Sequence, residues 1–309
     1  MSAPRPEMGR AGGEDPRGAS GPVPDPGEDW AVLDRAYAEY LDGNPDPPGG
    51  SLLAQTILTG RQRRALLPHL EAARGVDLID AGTGFAPLLL ELAHRDEVRA
   101  VGVDGDGRVL AAAASIAGRL SDWLHPRSSA RFVQGDLLSL PFADASFDVA
   151  TVRLVVQHLA EPQRFVGELL RVLRPGASAF VVDVDDGLGL TYPPPSPERA
   201  ALEEAFDACQ AAAGGDRLVG RKLSTYFSSG GFEVAGIELL AEARHVVTAP
   251  ADASRLLVTS RLAAAREEIV RRGLLAEEEF DRCLAAVANE PASARFRVEG
   301  LILLTARRP

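Results

Sequence analysis

Between Val76 and Val184 the chain repeats one unit: a short apolar run, a turn rich in glycine or acid, then a segment of helical length. The apolar runs are Val76–Asp80 (VDLID), Arg99–Asp104 (RAVGVD), Arg131–Gln134, Phe147–Val152 and Ser178–Val184. Between them, Leu88–Ala93, Arg108–Leu120 and Phe165–Leu173 have helical character, the last with Phe165, Leu169 and Val172 on one side. Pro87 stands where a first-turn proline is tolerated, and Arg174-Pro175-Gly176 ends the third helix. Short apolar strands alternating with helices predict a parallel sheet covered on both faces, because a right-handed crossover returns each strand beside the last.

The flanks are less regular. Asp29 is placed to cap a helix through Trp30, Leu33, Ala36, Tyr37 and Tyr40, which ends in the turn-rich DGNPDPP of 42–48. A second helix is expected over Leu52–Leu70, and Met1–Gly27, rich in proline, glycine and charge, reads as a disordered tail. After Val184, the interval 185–216 reads as a covering element, Leu223–Ser229 as a helix and Phe232–Leu240 as a strand. Ala251–Arg272 and Glu277–Ala288 read as helices, and Arg297–Ala306 as a final strand. Two strands so far apart cannot form a simple hairpin, so the helices between them are read as a cap inserted between neighbouring strands. The expected divisions are a tail (1–29), N-terminal helices over the site (30–70) and a main domain (71–309) with a cap insertion at about 241–295.

Charge narrows the partners. The 309 residues carry 33 basic and 44 acidic side chains, a net charge of -11, with no basic stripe of the kind that phosphate neutralisation needs. The densest basic stretch, Arg61–Arg64, reads as a solvated helix end. Cys209 and Cys283 have neither CxxC spacing nor nearby histidines, which disfavours a disulfide framework or a zinc site. No apolar run reaches the ~20 residues that span a bilayer, and no signal-peptide pattern opens the sequence, so a cytoplasmic location is expected.

Four spaced features carry chemistry. Asp80-Ala81-Gly82-Thr83-Gly84 follows the first strand, where glycine lets the backbone turn tightly and approach a ligand. Asp104, with Gly105 after it, ends the second strand twenty residues beyond Gly84, where a carboxylate can take both hydroxyls of a ribose. Gly135-Asp136-Leu137 follows the third strand, and Phe147-Asp148-Val149 leads into Arg153, Gln157 and His158. A dinucleotide fingerprint would place a third glycine where Pro87 stands, and it does not require acids at Asp80 or Asp136. The combination favours a nucleoside bearing an amino-acid tail over a pyrophosphate.

Through the stretches VDLIDAGTGFAPLLLELA, VGVDGD, FVQGDLLSLPFADASFDVATVRLVVQHL and RVLRPGASAFVVD, the chain resembles the class I S-adenosylmethionine-dependent methyltransferases. Within them it is similar to the small-molecule branch typified by ubiquinone and menaquinone biosynthesis. The resemblance implies a Rossmann-like, seven-stranded, mostly parallel sheet and S-adenosyl-L-methionine as cofactor. It implies that Asp80, Gly82 and Gly84, with Thr83 between them, surround the methionine part, and that Asp104 and Gly105 meet the ribose. Asp136 and Leu137 would address the adenine, and Arg153 would line the cofactor pocket. Ala81 and Pro87 depart from the family's pattern without removing a functional group.

The implied activity is O-, N- or C-methylation of a small acceptor in secondary metabolism or cofactor biosynthesis. The alternative is a non-catalytic binding or interaction protein on the same fold. Methylation of planar nitrogen in macromolecules would call for an Asn/Asp-Pro-Pro-Tyr signature where this chain reads Thr151-Val152-Arg153-Leu154. His158 is the candidate base, set against a structural role at a helix start, and His245 is a weaker one. Asp183, Asp185 and Asp186 offer the oxygen ligands that Mg²⁺ takes, but without a further ligand they read as a solvated strand end and no metal is assigned. Tyr37, Tyr40 and Tyr192 are read either as pocket lining or as core, and Arg221 as a contact for an acidic acceptor.

Overall fold

The computed structural model describes residues 26–44, 47–70, 75–248, 253–291 and 293–309. The expected tail falls, up to residue 25, outside the described residues, as do 45–46 of the DGNPDPP turn and 251–252 at the start of the cap helix. The sheet is built from β1 (Val76–Ala81), β2 (Val98–Asp104), β3 (Ser129–Gln134), β4 (Phe147–Arg153) and β5 (Leu173–Val184), all parallel in the order β3-β2-β1-β4-β5. β7 (Glu233–Thr248) and β8 (Ser293–Arg307) complete it: β8 lies antiparallel against β5, and β7 antiparallel against β8 over its whole length. The last two strands are therefore neighbours joined through an inserted cap, as expected. An eighth strand, β6 (Leu190–Tyr192), pairs with the outer part of β8. It corrects the expected count of seven; three residues embedded before Pro193 carry too short a pattern to read as a strand.

Helices cover both faces. Leu78 and Leu303 face one apolar layer with Leu33, Tyr37, Leu53 and Phe85, while Ile79 and Leu304 face the other with Phe165, Leu169 and Phe227. The period-two alternation of β1 and β8 thus divides the core into two layers. The first layer is closed by α1 (Pro26–Gly43), α2 (Gly50–Leu58), α3 (Gly60–Arg64), α4 (Pro87–Arg95) and α5 (Gly107–Arg119). The second is closed by α6 (Pro162–Val172) and α8 (Leu223–Ser229).

The N-terminal segment differs from expectation in two ways. α1 starts at Pro26, a residue suited to a first turn, so Asp29 lies inside the helix rather than capping it. The expected single helix over 52–70 is broken at Thr59, which has left the helical region at φ −96°, ψ 12°, and again near Ala65 before a short 3₁₀ turn at Leu67–His69. A third small core unites α7 (Pro197–Ala212) with α9 (Ala253–Ala264), α10 (Arg266–Arg271) and α11 (Glu277–Ala288), through Leu202, Leu262, Ile269, Phe280 and Val287. The cap is thus assembled from two chain segments, because α7 precedes β7. Both cysteines are free. Among the described residues, no helix is long and apolar enough to cross a membrane.

Candidate functional site

The glycine turn is anchored from below. Gly82 N and Thr83 N both donate to Val103 O at the end of β2, at 2.8 and 2.9 Å. Gly82 and Gly84 have φ of +75° and +54°, the left-handed region where glycine avoids a Cβ penalty. Asp80 is buried beneath the turn, accepting from Thr83 Oγ1 at 2.6 Å and Thr151 Oγ1 at 2.7 Å. Burial raises its pKa, partly offset by these two hydroxyls.

Asp104 ties the turn to the second strand. Its Oδ2 accepts from Gly84 N at 2.9 Å and its Oδ1 from Asp106 N at 3.0 Å. A carboxylate offers about four lone-pair sites, so both oxygens can still accept from a diol. Beyond it, an open groove of about 660 Å³ is lined by Gly105, Asp106, Gly107, Arg108 and Gln134. A second, of about 490 Å³, shares Arg108 and is bounded by Pro47–Gly50. Arg108 and Gln134 were not sequence candidates, although they flank Gly105-Asp106-Gly107 and Gly135-Asp136; only the adjacency of β2 and β3 brings them together. Gln134 Nε2 donates to Gly105 O at 3.0 Å. Asp136 lies two residues past the groove, exposed, its Oδ1 accepting from Leu138 N at 2.8 Å, with Leu137 half-buried beside it.

The N-terminal helices form a roof. Leu52 of α2 lies where a Cβ on Gly84 would come within 3.2 Å of it, and Tyr37 of α1 donates its hydroxyl to Phe85 O at 2.9 Å. Tyr37 and Tyr40 belong to the core, and burial pushes the Tyr37 phenol well above its ordinary value. The reading of Arg61–Arg64 as a solvated end is overturned at two positions. Arg63 is fully buried and makes a bidentate pair with Glu91 of α4, at 2.8 Å from both Nε and Nη2. Arg64 reaches Glu91 and Asp34. The cause is tertiary: α4 presents one acid in an apolar run, LLLELA, and a buried acid requires a cation.

The far side of the site is built on β4 and β5. Arg153 ends β4 and donates from Nη2 to Thr59 Oγ1 at 3.1 Å, while its Nε is shut from solvent with no hydrogen-bond partner among the described residues. Leu154 follows with φ +59°, a left-handed conformation that a branched side chain adopts at a cost, its N bonded to Val182 O. His158 lies in the 3₁₀ turn Val156–His158, open at its edge. Desolvation, then Arg217 and Arg261 of the cap side, lower its pKa. Asp183 is buried, accepts from Gln157 N and Val184 N, and is raised to about 6 by burial.

Of the acids at the end of β5, two depart from the expected solvated strand end, while Asp186 is exposed. Asp183 and Asp185 are buried, Asp185 is paired with Arg221 Nε at 2.6 Å, and Asp186 with Arg217 Nε at 2.7 Å. Arg221 is thereby engaged by Asp185, while about half of its side chain stays exposed. Among the described residues no cluster of three or more His, Cys, Asp or Glu side chains is arranged to hold a metal. Tyr192 on β6 and His245 on β7 are exposed, and both stand opposite Phe296 in the outer part of β8.

A glycine turn and an acid at the ends of adjacent parallel strands, on a sheet closed by one reversed strand, define a Rossmann-like nucleoside-binding domain. Residues 79–181 match the family described as "Methyltransferase domain", which bears out the resemblance carried by the motifs. The chain is 34% identical over 125 residues to the demethylmenaquinone methyltransferase of Desulfitobacterium hafniense (strain Y51), covering 40% of this chain and 47% of that protein. It is 40% identical over 78 residues to the ubiquinone/menaquinone biosynthesis C-methyltransferase of Roseobacter denitrificans, covering 25% and 27%. The chain thus spans less than half the length of these two curated relatives. A crystal structure titled as a putative methyltransferase from Bacillus halodurans C-125 superposes with a TM-score of 0.52 at 19% identity, covering 81% of this chain and 99% of that one, and so shares the fold.

Proposed function

We propose that the chain is an S-adenosylmethionine-dependent methyltransferase acting on a small-molecule acceptor. The observation that supports this best is the convergence of Asp80, Gly82, Gly84 and Asp104 at the carboxyl ends of β1 and β2, beside an open groove. The residues fit a sulfur nucleoside: Asp104 retains acceptor capacity for the ribose hydroxyls, and Gly105 admits close approach because nothing lies within 4 Å of a Cβ there. Gly82, Thr83 and Gly84 would enclose the methionine part, and Asp136 and Leu137 would border the adenine. The bound cofactor supplies an already activated methyl group.

What remains for the chain's own residues is alignment and exclusion of water. The roof of α1–α3 and the cap of α7 and α9–α11 would do both. His158, neutral because its surroundings disfavour charge, would take the proton of a hydroxyl or carbon acid acceptor. A fold of this type does not fix the chemistry by itself, so binding is the first test. Isothermal titration with S-adenosylmethionine and S-adenosylhomocysteine, with NAD as control, is expected to give micromolar binding of both sulfur nucleosides and none of NAD. At a hundredfold excess over Kd either would stabilise the native state by about 2.7 kcal/mol. Binding of neither overturns the reading.

A further inference from the structure

The apolar surface left open by the fold is gathered on one face. Of the nine large apolar side chains exposed among the described residues, six stand together: Leu188, Leu190, Tyr192, Ile237, Leu239 and Phe296. Register puts them on one side of β6, β8 and β7. Leu190 opposes Val298, Tyr192 and His245 oppose Phe296, Leu239 opposes Ile302 and Ile237 opposes Leu304. Leu188 belongs to the same side, because a Cβ on Gly300 would meet both Leu188 and Leu239. On that side, the residues of 190–192, 237–245 and 296–304 include no Asp, Glu, Lys or Arg. A contiguous uncharged patch of this kind marks an interaction surface.

β7 borders this face, and it is an edge. It pairs with β8 on one side, and among the described residues no strand lies on its other. From Ile237 to His245 it runs without a bulge or a proline, two of the devices that blunt an open edge. The result is about 30 Å of main chain able to take another strand.

The charges of β7 select the strand that fits. Glu238 and Arg244 lie on its opposite face, both partly exposed, with Ala241 midway between them. A second β7 running antiparallel about a two-fold axis at Ala241 sets Glu238 of each copy opposite Arg244 of the other. On the apolar face the same axis sets Leu239 opposite Ala243, and Ile237 opposite His245. An axis at Leu240 would instead set Glu238 opposite Glu242. Ala241 is also at the middle of Glu233–Thr248, so this register uses nearly the whole strand.

We propose that β7 is a homodimer interface, where a second copy of the chain adds its own β7 about a two-fold axis at Ala241 and joins the two sheets into one. The contact is isologous, each copy giving and receiving the same surface. It goes beyond the cofactor reading and does not depend on it. Because the chain enters the cap from β7 and returns from it into β8, pairing here also braces the base of the cap. One strand edge buries less than the roughly 800 Å² per partner of a standard interface, so micromolar association is expected.

Sedimentation of the full chain from about 1 to 100 µM follows the monomer–dimer equilibrium, with thermal unfolding of each variant to confirm folding. The wild type is expected to pass from monomer to dimer over this range. Leu239→Lys, at an exposed position, is expected to weaken the dimer at least about tenfold and leave Tm unchanged. Oxidation of Ala241→Cys and Ala243→Cys reads the register. Across the axis, the Cβ atoms of residue 241 in the two copies stand about 5 Å apart, close to disulfide range, whereas residue 243 meets its own copy only at ~14 Å. Ala241→Cys is therefore expected to form a covalent dimer, and Ala243→Cys to behave like the wild type with its two native cysteines. A wild type that stays monomeric throughout overturns the proposal, and flotation of that monomer with phosphatidylcholine vesicles would give the face to a lipid surface. A dimer that Leu239→Lys leaves intact, or a cross-link that fails at residue 241 or forms at 243, overturns it as well.

Discussion

Arg63 and Glu91 form a fully buried, bidentate ion pair that bolts α3 of the roof to α4 behind the glycine turn. Arg63 also donates to Thr56 O at 2.9 Å, so one guanidinium joins two roof helices to the sheet-covering helix. Glu91→Gln removes the carboxylate from under both Arg63 and Arg64, and about 3–5 kcal/mol of stability is expected to go with it. Replacing both partners by Met and Leu is expected to be much milder, because no buried charge is stranded. Urea unfolding of the single and double variants decides the matter; equal losses would mean that the pair is not the connection.

Gly82 is fixed by two independent constraints. Its φ is +75°, and a Cβ there would overlap the side chain of Val155. Gly82→Ala is therefore expected to destabilise by roughly 2–5 kcal/mol, backbone and overpacking together. Val155→Ala removes the obstructing carbons, so the double variant is expected to recover the steric part and keep the backbone part. A double-mutant cycle in denaturant with no coupling would show that the two residues do not meet.

Asp104 is asked to do two things, and substitution separates them. Asp104→Ala is expected to weaken S-adenosylhomocysteine roughly 10- to 100-fold by removing a charged acceptor for the ribose. It also deprives Gly84 N and Asp106 N of their partner, so a modest fall in Tm accompanies it. Asp104→Asn keeps a neutral acceptor, and so is expected to retain more of the Tm than of the affinity. Unchanged affinity in the alanine variant would remove the ribose assignment.

The central fold was legible because its signals are local. VDLID followed by AGTGF, and RAVGVD followed by GD, show where each strand stops, and β1, β2 and β4 were placed within one residue at each end. What stayed hidden depends on contacts between distant segments. Arg63 sits in a cluster, GRQRR, that looks solvated, and its partner Glu91 lies twenty-eight residues on. Arg221 and Asp185 are thirty-six apart and become one ion pair only when the chain after α7 returns to the end of β5. The acid within LLLELA was the available clue, since an acid in an apolar helix must find a cation. Arg108 and Gln134 adjoin the motifs at Gly107 and Gly135, but only the pairing of β2 with β3 makes one groove of them.

His158 gives the reading its pH signature. Desolvation first, and then Arg217 and Arg261, disfavour the imidazolium, so the folded-state pKa lies below the ordinary value of about 6.5. The ring is therefore neutral and able to accept a proton throughout the neutral range. With an acceptor that must lose a proton, kcat/KM is expected to rise with pH through an apparent pKa below about 6.5 and then level off. The same depression makes the stability contribution of the neutral ring present above about 6.5 and lost as pH falls through the lowered value. His158→Gln is expected to abolish the acidic limb and lower kcat roughly 10²- to 10⁴-fold, with S-adenosylhomocysteine affinity unchanged. Arg261→Gln removes one of the repelling charges, so the limb should move up towards the ordinary histidine value. A limb that stays in place in both variants would assign the ionisation to another group and leave His158 a packing role at the start of α6.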